Sequence, residues 1–489
     1  MSLIERLFKA SNSVDELDSF IKTNSIEIYD FFISQSNSSI LKHRQGVEDY
    51  ILPKYGVYSL LDYTEKKNQT FIYCLLDVSL RFSLSTEFQQ LFNIANKKNI
   101  SLNSIVIASS LFLLNVNSID AYEERINEIL KHLSTSFLKE EDNSQKSIAT
   151  LIHFYREVFF NFPHNEIRVN GFRDKLIKQL KEDEYFYLFT KDVEEVLSYS
   201  LDKINELYQA VQVKLDEILE RSSQYLAFNS EPQLIESDTH YAKLLLNVSA
   251  EFSEIRNLCI DLYSVVASNK IFVSLQRGVK VLTEQNQLLA YLNSYGNMHY
   301  AKMSSAISKI KKRDLEGKIE LYDWGCGQGL ASMCFLEYLK EDKIEAFINR
   351  ITLIEPSEIA IKRASLHLKK FSPESHVITV NKDFDSLDNN DFESNNIAKK
   401  VHLFSNILDI DYFSMSKLIN TILKNFSEEN IFICASPYVS SYKTERLDNF
   451  MQSFSQASKF KIISEISQRK GEWDDTNWSR VIRVFKCDI

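Results

Sequence analysis

The run 323-DWGCGQG-329 constrains this chain more than any other seven residues. It closes the apolar stretch 319-IELYDW-324 and opens the amphipathic stretch 330-LASMCFLEYLKE-341, which reads as strand, tight turn and helix. Three of the chain's 10 glycines, Gly325, Gly327 and Gly329, stand at alternate positions inside it. Side chains at those positions would hold the backbone away from a ligand, and glycine removes them. The helix that follows begins with free N–H groups, which favour an anionic group. The expectation is a ligand at the carboxyl end of the first strand of an open α/β sheet.

The spacing discriminates among ligands. The dinucleotide fingerprint G-x-G-x-x-G fails, because the sixth position counted from Gly325 is Leu330. A P-loop fails as well, since no Gly-Lys-Ser/Thr follows. What stands there is D-x-G-x-G-x-G, with Asp323 ahead of the loop. An acid in that place suits a ligand with a positive end, such as the ammonium of a methionine moiety, and repels pyrophosphate. Further apolar runs follow at 350–355, 377–383, 401–407, 430–436, 460–467 and 480–487. Counting 319–324 as the first, amphipathic stretches such as 357-SEIAIKRASLHLKKF-371 separate the first five, which predicts a parallel sheet with right-handed crossovers. The last two runs are joined by 468-QRKGEWDDTNWS-479 without a helical pattern, so an antiparallel strand is expected at the C-terminus.

On three motifs the chain resembles the class I S-adenosylmethionine-dependent methyltransferases. They are the DWGCGQG loop, the acid Glu355 in TLIEPS ending the second strand, and VNKDF at 380–384 after the third. The resemblance covers roughly residues 290–489. It implies an α/β Rossmann-like, seven-stranded methyltransferase domain over 291–489, with S-adenosylmethionine as cofactor. By motif position Gly325, Gly327 and Gly329 would let the backbone close on the methionine and ribose, with Cys326 in the same loop. Asp323 would contact the amino group, Glu355 would accept both ribose hydroxyls, Asp383 would accept the adenine amino group, and Phe384 would line the ring. Upstream, Tyr291, Tyr295 and His299 fall at four-residue steps on one helical face. That face is either a lid whose tyrosines meet the sulfonium or a packing face between domains.

Residues at the end of the fourth strand, 402-HLFSNILDID-411, would face the methyl acceptor. The family's branch that methylates base amino groups carries Asp or Asn followed by Pro-Pro-Tyr. Here Ser405-Asn406-Ile407-Leu408 stands instead, which argues against a standard adenine-N6 or cytosine-N4 DNA enzyme. No Pro-Cys pair marks a cytosine-C5 nucleophile. Asn406 and Asp409, with Asp411, are the candidates for orienting the acceptor or handling its proton, and His402 reads as structural.

The remaining residues, 1–290, read as a large all-α domain, a helical bundle or helical-repeat array. At 489 residues, two or three domains are expected, and only 10 glycines and 6 prolines favour long helices. Ser13 with Glu16 suggests a capping box, and 150-TLIHFYREVFFNF-162 an aromatic-rich buried helix stopped by Pro163. Two heptad seams, Leu197 to Ile218 and Tyr241 to Leu262, flank 227-AFNSEPQLIESD-238. They predict a long antiparallel hairpin near 192–266, closed on itself or zipped to a second copy or a partner protein. No fixed repeat period is present.

A net charge of −10 disfavours nonspecific wrapping of nucleic acid, and the basic run Lys309, Lys311, Lys312 and Arg313 reads as solvated surface. Six scattered cysteines without CxxC spacing predict no metal site and a cytoplasmic protein. The apolar run 105-IVIASSLFLLNV-116 is too short to span a membrane. The resulting expectation is a methyltransferase acting on a macromolecule, RNA or protein ahead of DNA, that the helical domain selects. The alternative is a catalytically inactive sensor or scaffold that binds the cofactor or a related adenosine compound and works through its helical domain.

Overall fold

The computed structural model describes residues 1–140, 144–201, 204–220, 227–392, 398–473 and 476–489. Its contacts divide the chain into two units, Met1–Ser222 and Ser223–Ile489.

Every regular element described in the first unit is helical. Ser13 caps the Val14–Tyr29 helix by accepting from the Glu16 N–H at 3.2 Å, one half of a capping box. The apolar run near 105 forms the Ser104–Leu113 helix, opened by Asn103, whose side chain accepts from the Val106 N–H at 3.0 Å. The Ser144–Asn161 helix is buried along most of its length and stops two residues before Pro163. Its Phe154 meets Phe172 edge-on at 5.4 Å, and both are fully buried, so these aromatics fill the space between helices.

The second unit holds a seven-stranded, Rossmann-like sheet of order β3-β2-β1-β4-β5-β7-β6. Its strands are β1 (Gly317–Trp324), β2 (Ala346–Ile354), β3 (His376–Val380), β4 (Lys399–Ser405), β5 (Glu429–Ser436), β6 (Ser458–Gln468) and β7 (Arg480–Asp488). The first five are mutually parallel; β7 enters antiparallel between β5 and β6. The central strands are buried on both faces along most of their length, as strands of a sheet covered on both sides are. Every strand that the apolar runs predicted is present.

Three expectations need correcting. The hairpin over 192–266 does not form. Its first seam breaks between the Lys191–Ser198 and Ile204–Leu219 helices, and the latter packs on Ser144–Asn161, where Arg156 donates to Gln212 at 2.8 Å. The second seam breaks between His240–Leu245 and Phe252–Val266, and the latter packs on the Gln285–Ile307 helix of the second unit. A heptad seam states that a face is buried, and here each seam found a nearer partner.

The boundary also falls at 222/223 rather than near 290. Phe252 stacks on Tyr300 at 4.5 Å, and buried Glu337 accepts from the Phe252 N–H at 3.1 Å and the Tyr300 hydroxyl at 2.6 Å. These bonds bind the preceding helices to the sheet. Third, 227–238 is not the turn of such a hairpin. It lies along the free edge of β3, where the Thr379 N–H donates to the Pro232 carbonyl at 2.8 Å and the Leu234 N–H to Thr379 Oγ1 at 2.8 Å. An uncovered edge strand is a template for unwanted pairing, and this segment covers it.

Candidate cofactor site

Register brings four loops to one edge. Trp324 pairs with Ile354 on one side and Phe404 on the other, and Ile354 pairs with Val380. The segments 325–329, 355–357, 381–383 and 406–411 therefore leave the carboxyl edge side by side. The chain order reverses between β1 and β4, which is where open α/β sheets form their ligand crevice.

The three glycines all hold positive φ: 66° at Gly325, 51° at Gly327 and 79° at Gly329. Their surroundings differ. A Cβ on Gly325 would meet Ile407 Cγ1 at 2.8 Å, whereas a Cβ on Gly327 would meet nothing within 4 Å. Gly327 thus borders open space. The loop's N–H groups are spoken for: those of Gly325 and Cys326 donate to the Ile354 carbonyl at 2.9 and 3.0 Å, and that of Gly327 to Glu355 Oε2 at 3.0 Å.

Asp323 has no exposed surface. Its Oδ2 accepts from Ser332 twice, from the hydroxyl at 2.7 Å and the N–H at 3.2 Å, which caps the Leu330–Glu341 helix from the strand. Its Oδ1 is buried without a partner. Burial pushes the Asp323 carboxyl up to about 6 against the pull of Ser332. Half-buried Glu355 accepts from the Ser357 N–H at 2.9 Å as well as from Gly327. Burial pushes Glu355 up to about 7, opposed by those two N–H groups and aided by the charge of Asp323. The Cys326 thiol is pushed well up by burial and then by both Asp323 and Glu355. The two carboxylates therefore act on one small volume.

Asp383 is half-buried and caps its own turn, accepting from the Ser386 N–H at 2.8 Å through one oxygen. Phe384 is buried with its ring against Phe413 at 4.9 Å and Trp324 at 6.0 Å. Between them and Glu355 stands Asn381, which sequence reasoning missed. Its side-chain amide donates to the Glu355 and Pro356 carbonyls at 2.9 and 3.0 Å and accepts from the Asn229 N–H at 2.9 Å. An amide one residue past the third strand was its only signal.

The Gln285–Ile307 helix packs against the glycine loop and the helix that follows it. Gln328 of the glycine loop donates to the Leu288 carbonyl at 3.0 Å, and its Oε1 is buried without a partner. The Tyr291 hydroxyl lies 3.1 Å from His299 Nδ1, and Tyr295 stacks between Phe272 and His299 at 6.2 and 6.1 Å. Burial raises the Tyr291 hydroxyl well above its ordinary value, with Glu355, Tyr295 and Asp409 adding to it. This helix thus packs against the glycine loop, with its tyrosines and His299 against one another.

Past β4, Asn406 holds a left-handed backbone at φ 56° and donates its N–H to the Ala435 carbonyl at 2.7 Å. Its side-chain oxygen accepts from Lys302, a second residue that sequence reasoning missed. Asp409 is 5% exposed, and its Oδ1 has no hydrogen-bond partner. Asp411 pairs with buried Lys443 at 2.7 Å, a structural ion pair. His402 sits inside β4 between Trp324 Nε1 at 3.2 Å and Asn430 Oδ1 at 3.0 Å, as a core histidine does. No cluster of three or more His, Cys, Asp or Glu side chains that could hold a metal ion, and no helix long and apolar enough to cross a membrane, occurs among the described residues.

No family model matches the chain, and no curated protein matches it. Solved structures do. P. horikoshii TYW2 in complex with MeSAdo matches at 14% identity and a TM-score of 0.25, over 38% of this chain and 62% of that one, less than two thirds of its length. A Listeria monocytogenes structure assigned as a class I S-adenosylmethionine-dependent methyltransferase matches at 12% identity and a TM-score of 0.30, over 68% and 88%. The plantazolicin methyltransferase BpumL, in complex with a monoazolic desmethylPZN analog and SAH, matches at 14% identity and a TM-score of 0.29, over 48% and 99%. At likeness of this size, what the chain does has to come from its own residues.

Proposed function

We propose that the second unit binds S-adenosylmethionine and transfers its methyl group to a macromolecule, RNA or protein, which the helical unit selects. The observation that carries this reading is the placing of two carboxylates on either side of the glycine loop: Asp323, buried with an unpartnered Oδ1, ahead of it, and Glu355, which accepts from the Gly327 N–H at 3.0 Å, beside it. Asp323 Oδ1 is a buried acceptor without a donor, which an ammonium would satisfy. Glu355 spends one lone pair per oxygen on Ser357 and Gly327, and the second pair on each remains for two ribose hydroxyls. The open space at Gly327 admits the ligand's approach. Asp383 keeps one carboxylate oxygen for an adenine amino group. Bound there, the cofactor would supply an electrophilic methyl, and the chain's part is to hold an acceptor atom about 3–3.5 Å away in line.

The test incubates the purified chain with methyl-labelled S-adenosylmethionine and a cell extract, then separates RNA, DNA and protein. Label in the RNA or protein fraction is expected. Binding without transfer would select a cofactor-sensing scaffold instead, and absence of binding would sink both readings.

A further inference from the structure

The Gln285–Ile307 helix carries a cation into the crevice for which cofactor binding has no use. Lys302 has no exposed surface. A lysine buried so deeply is ordinarily paired with a carboxylate, as Lys443 is with Asp411 at 2.7 Å. No carboxylate lies within ion-pair distance of Lys302 among the described residues. Its Nζ donates to Asn406 Oδ1 instead, at the first residue past β4. Asn406 is held there by its N–H bond to Ala435 and by its own amide, which donates to Ser405 Oγ at 3.0 Å. Asp409 lies near enough for its charge to act on Lys302, and its Oδ1 is buried without a partner.

We propose that Lys302, oriented by Asn406 and faced by Asp409, accepts the proton of the methyl acceptor, which is therefore a hydroxyl or an amine that must lose a proton. This rests on the function proposed above and assigns the acceptor's chemistry. The acceptor's lone pair forms the bond to the methyl carbon, and the electron pair of the breaking carbon–sulfur bond stays with sulfur. The acceptor's proton passes to the Nζ lone pair, and the carboxylate of Asp409 offsets the ammonium that results. A thioether or tertiary amine needs no such group.

The environment suits the task. Burial pushes Lys302 down to about 7, with Asp409 opposing and Arg277 assisting, so near neutrality a lone pair is available. The other charged or titratable groups around this helix are engaged. His299, three residues earlier, is held neutral by burial and by Lys302. Glu337 accepts from Tyr300, and Arg480 of β7 donates to Ser305. Arg256 donates to the Leu292 and Asn293 carbonyls at 3.3 and 3.0 Å.

Two measurements test the assignment. The first follows the Lys302 side-chain nitrogen by NMR against pH in the ligand-free wild-type chain, whose midpoint needs neither a variant nor a cofactor, and then in Asp409→Asn. A midpoint near 7 that falls further in Asp409→Asn is expected; a midpoint in the ordinary lysine range overturns the proposal. The second compares label transfer by wild type and Lys302→Met, with S-adenosylhomocysteine binding as the control for an intact site. Transfer is expected to fall by about a hundredfold or more with binding retained. Wild-type transfer by Lys302→Met overturns this proposal alone. A wild-type chain that binds the cofactor and labels no fraction overturns it together with the function proposed above.

Discussion

Single residues decide whether the crevice opens, and the glycines separate two effects. Gly325→Ala puts a Cβ 2.8 Å from Ile407 on a backbone at φ 66°, so both clash and strain fall on the fold. Gly327→Ala meets no protein atom within 4 Å and costs only the left-handed backbone, about 1–2 kcal/mol. Chemical unfolding should therefore show Gly325→Ala as the more destabilised. Calorimetry should show Gly327→Ala losing cofactor affinity while still folded. Asp323→Asn should lose affinity as well. In the wild type, affinity should fall as pH drops through about 6, where the carboxylate that meets the ammonium becomes protonated, and the variant should lack that dependence. Lys302 acts on stability rather than on affinity. Its folded value lies near 7 and its ordinary value at 10.5, so between them the unfolded chain holds a proton that the folded chain has lost. Stability should rise with pH across that window, and Lys302→Met should flatten the rise in urea titrations repeated from pH 7 to 10.

At the scale of elements, the segment 227–238 is the least obvious support of the site. Glu236 forms a buried ion pair with Arg363, donated through Nη2 at 3.1 Å, and the guanidinium lies 3.4 Å over the Tyr241 ring. The Tyr241 hydroxyl reaches His367 at 2.8 Å, and His367 reaches the Gln328 carbonyl of the glycine loop at 2.9 Å. Glu236→Gln leaves a buried cation without its carboxylate and should cost about 3–5 kcal/mol, read from urea unfolding.

Little in AFNSEPQLIESD announces this role, because apart from the Gln233 amide, 2.8 Å from His376, its bonds to β3 come from main-chain groups, which every sequence has. The strands, by contrast, were legible because fully apolar runs between turn residues admit few other readings. Asp323 and Glu355 were legible for a related reason: each is an acid at the end of such a run. Lys302 was hidden because a lone lysine among helical residues is ordinarily solvated, and only the loop after β4 shows otherwise. The heptad seams misled because periodicity specifies a buried face without naming what buries it.

For the whole molecule, the division at 222/223 predicts which pieces stand alone. A chain beginning at Ser223 keeps the edge-covering segment, the Phe252–Val266 helix and the full Gln285–Ile307 helix. It should melt cooperatively by circular dichroism. A chain beginning at Tyr291 cuts that last helix, uncovers β3 and removes Phe252 from Tyr300, and should lose the cooperative transition.

One detail of the glycine loop reaches beyond these tests. All six cysteines are buried, and Cys326 keeps only 6% of its surface in the turn between the two carboxylates. Its thiolate form is disfavoured by burial and by both anions, so an alkylating reagent can act only during the moments when the turn swings outward. The speed of that modification, timed with and without a nucleoside in place, makes the molecule its own stopwatch for how often the crevice breathes.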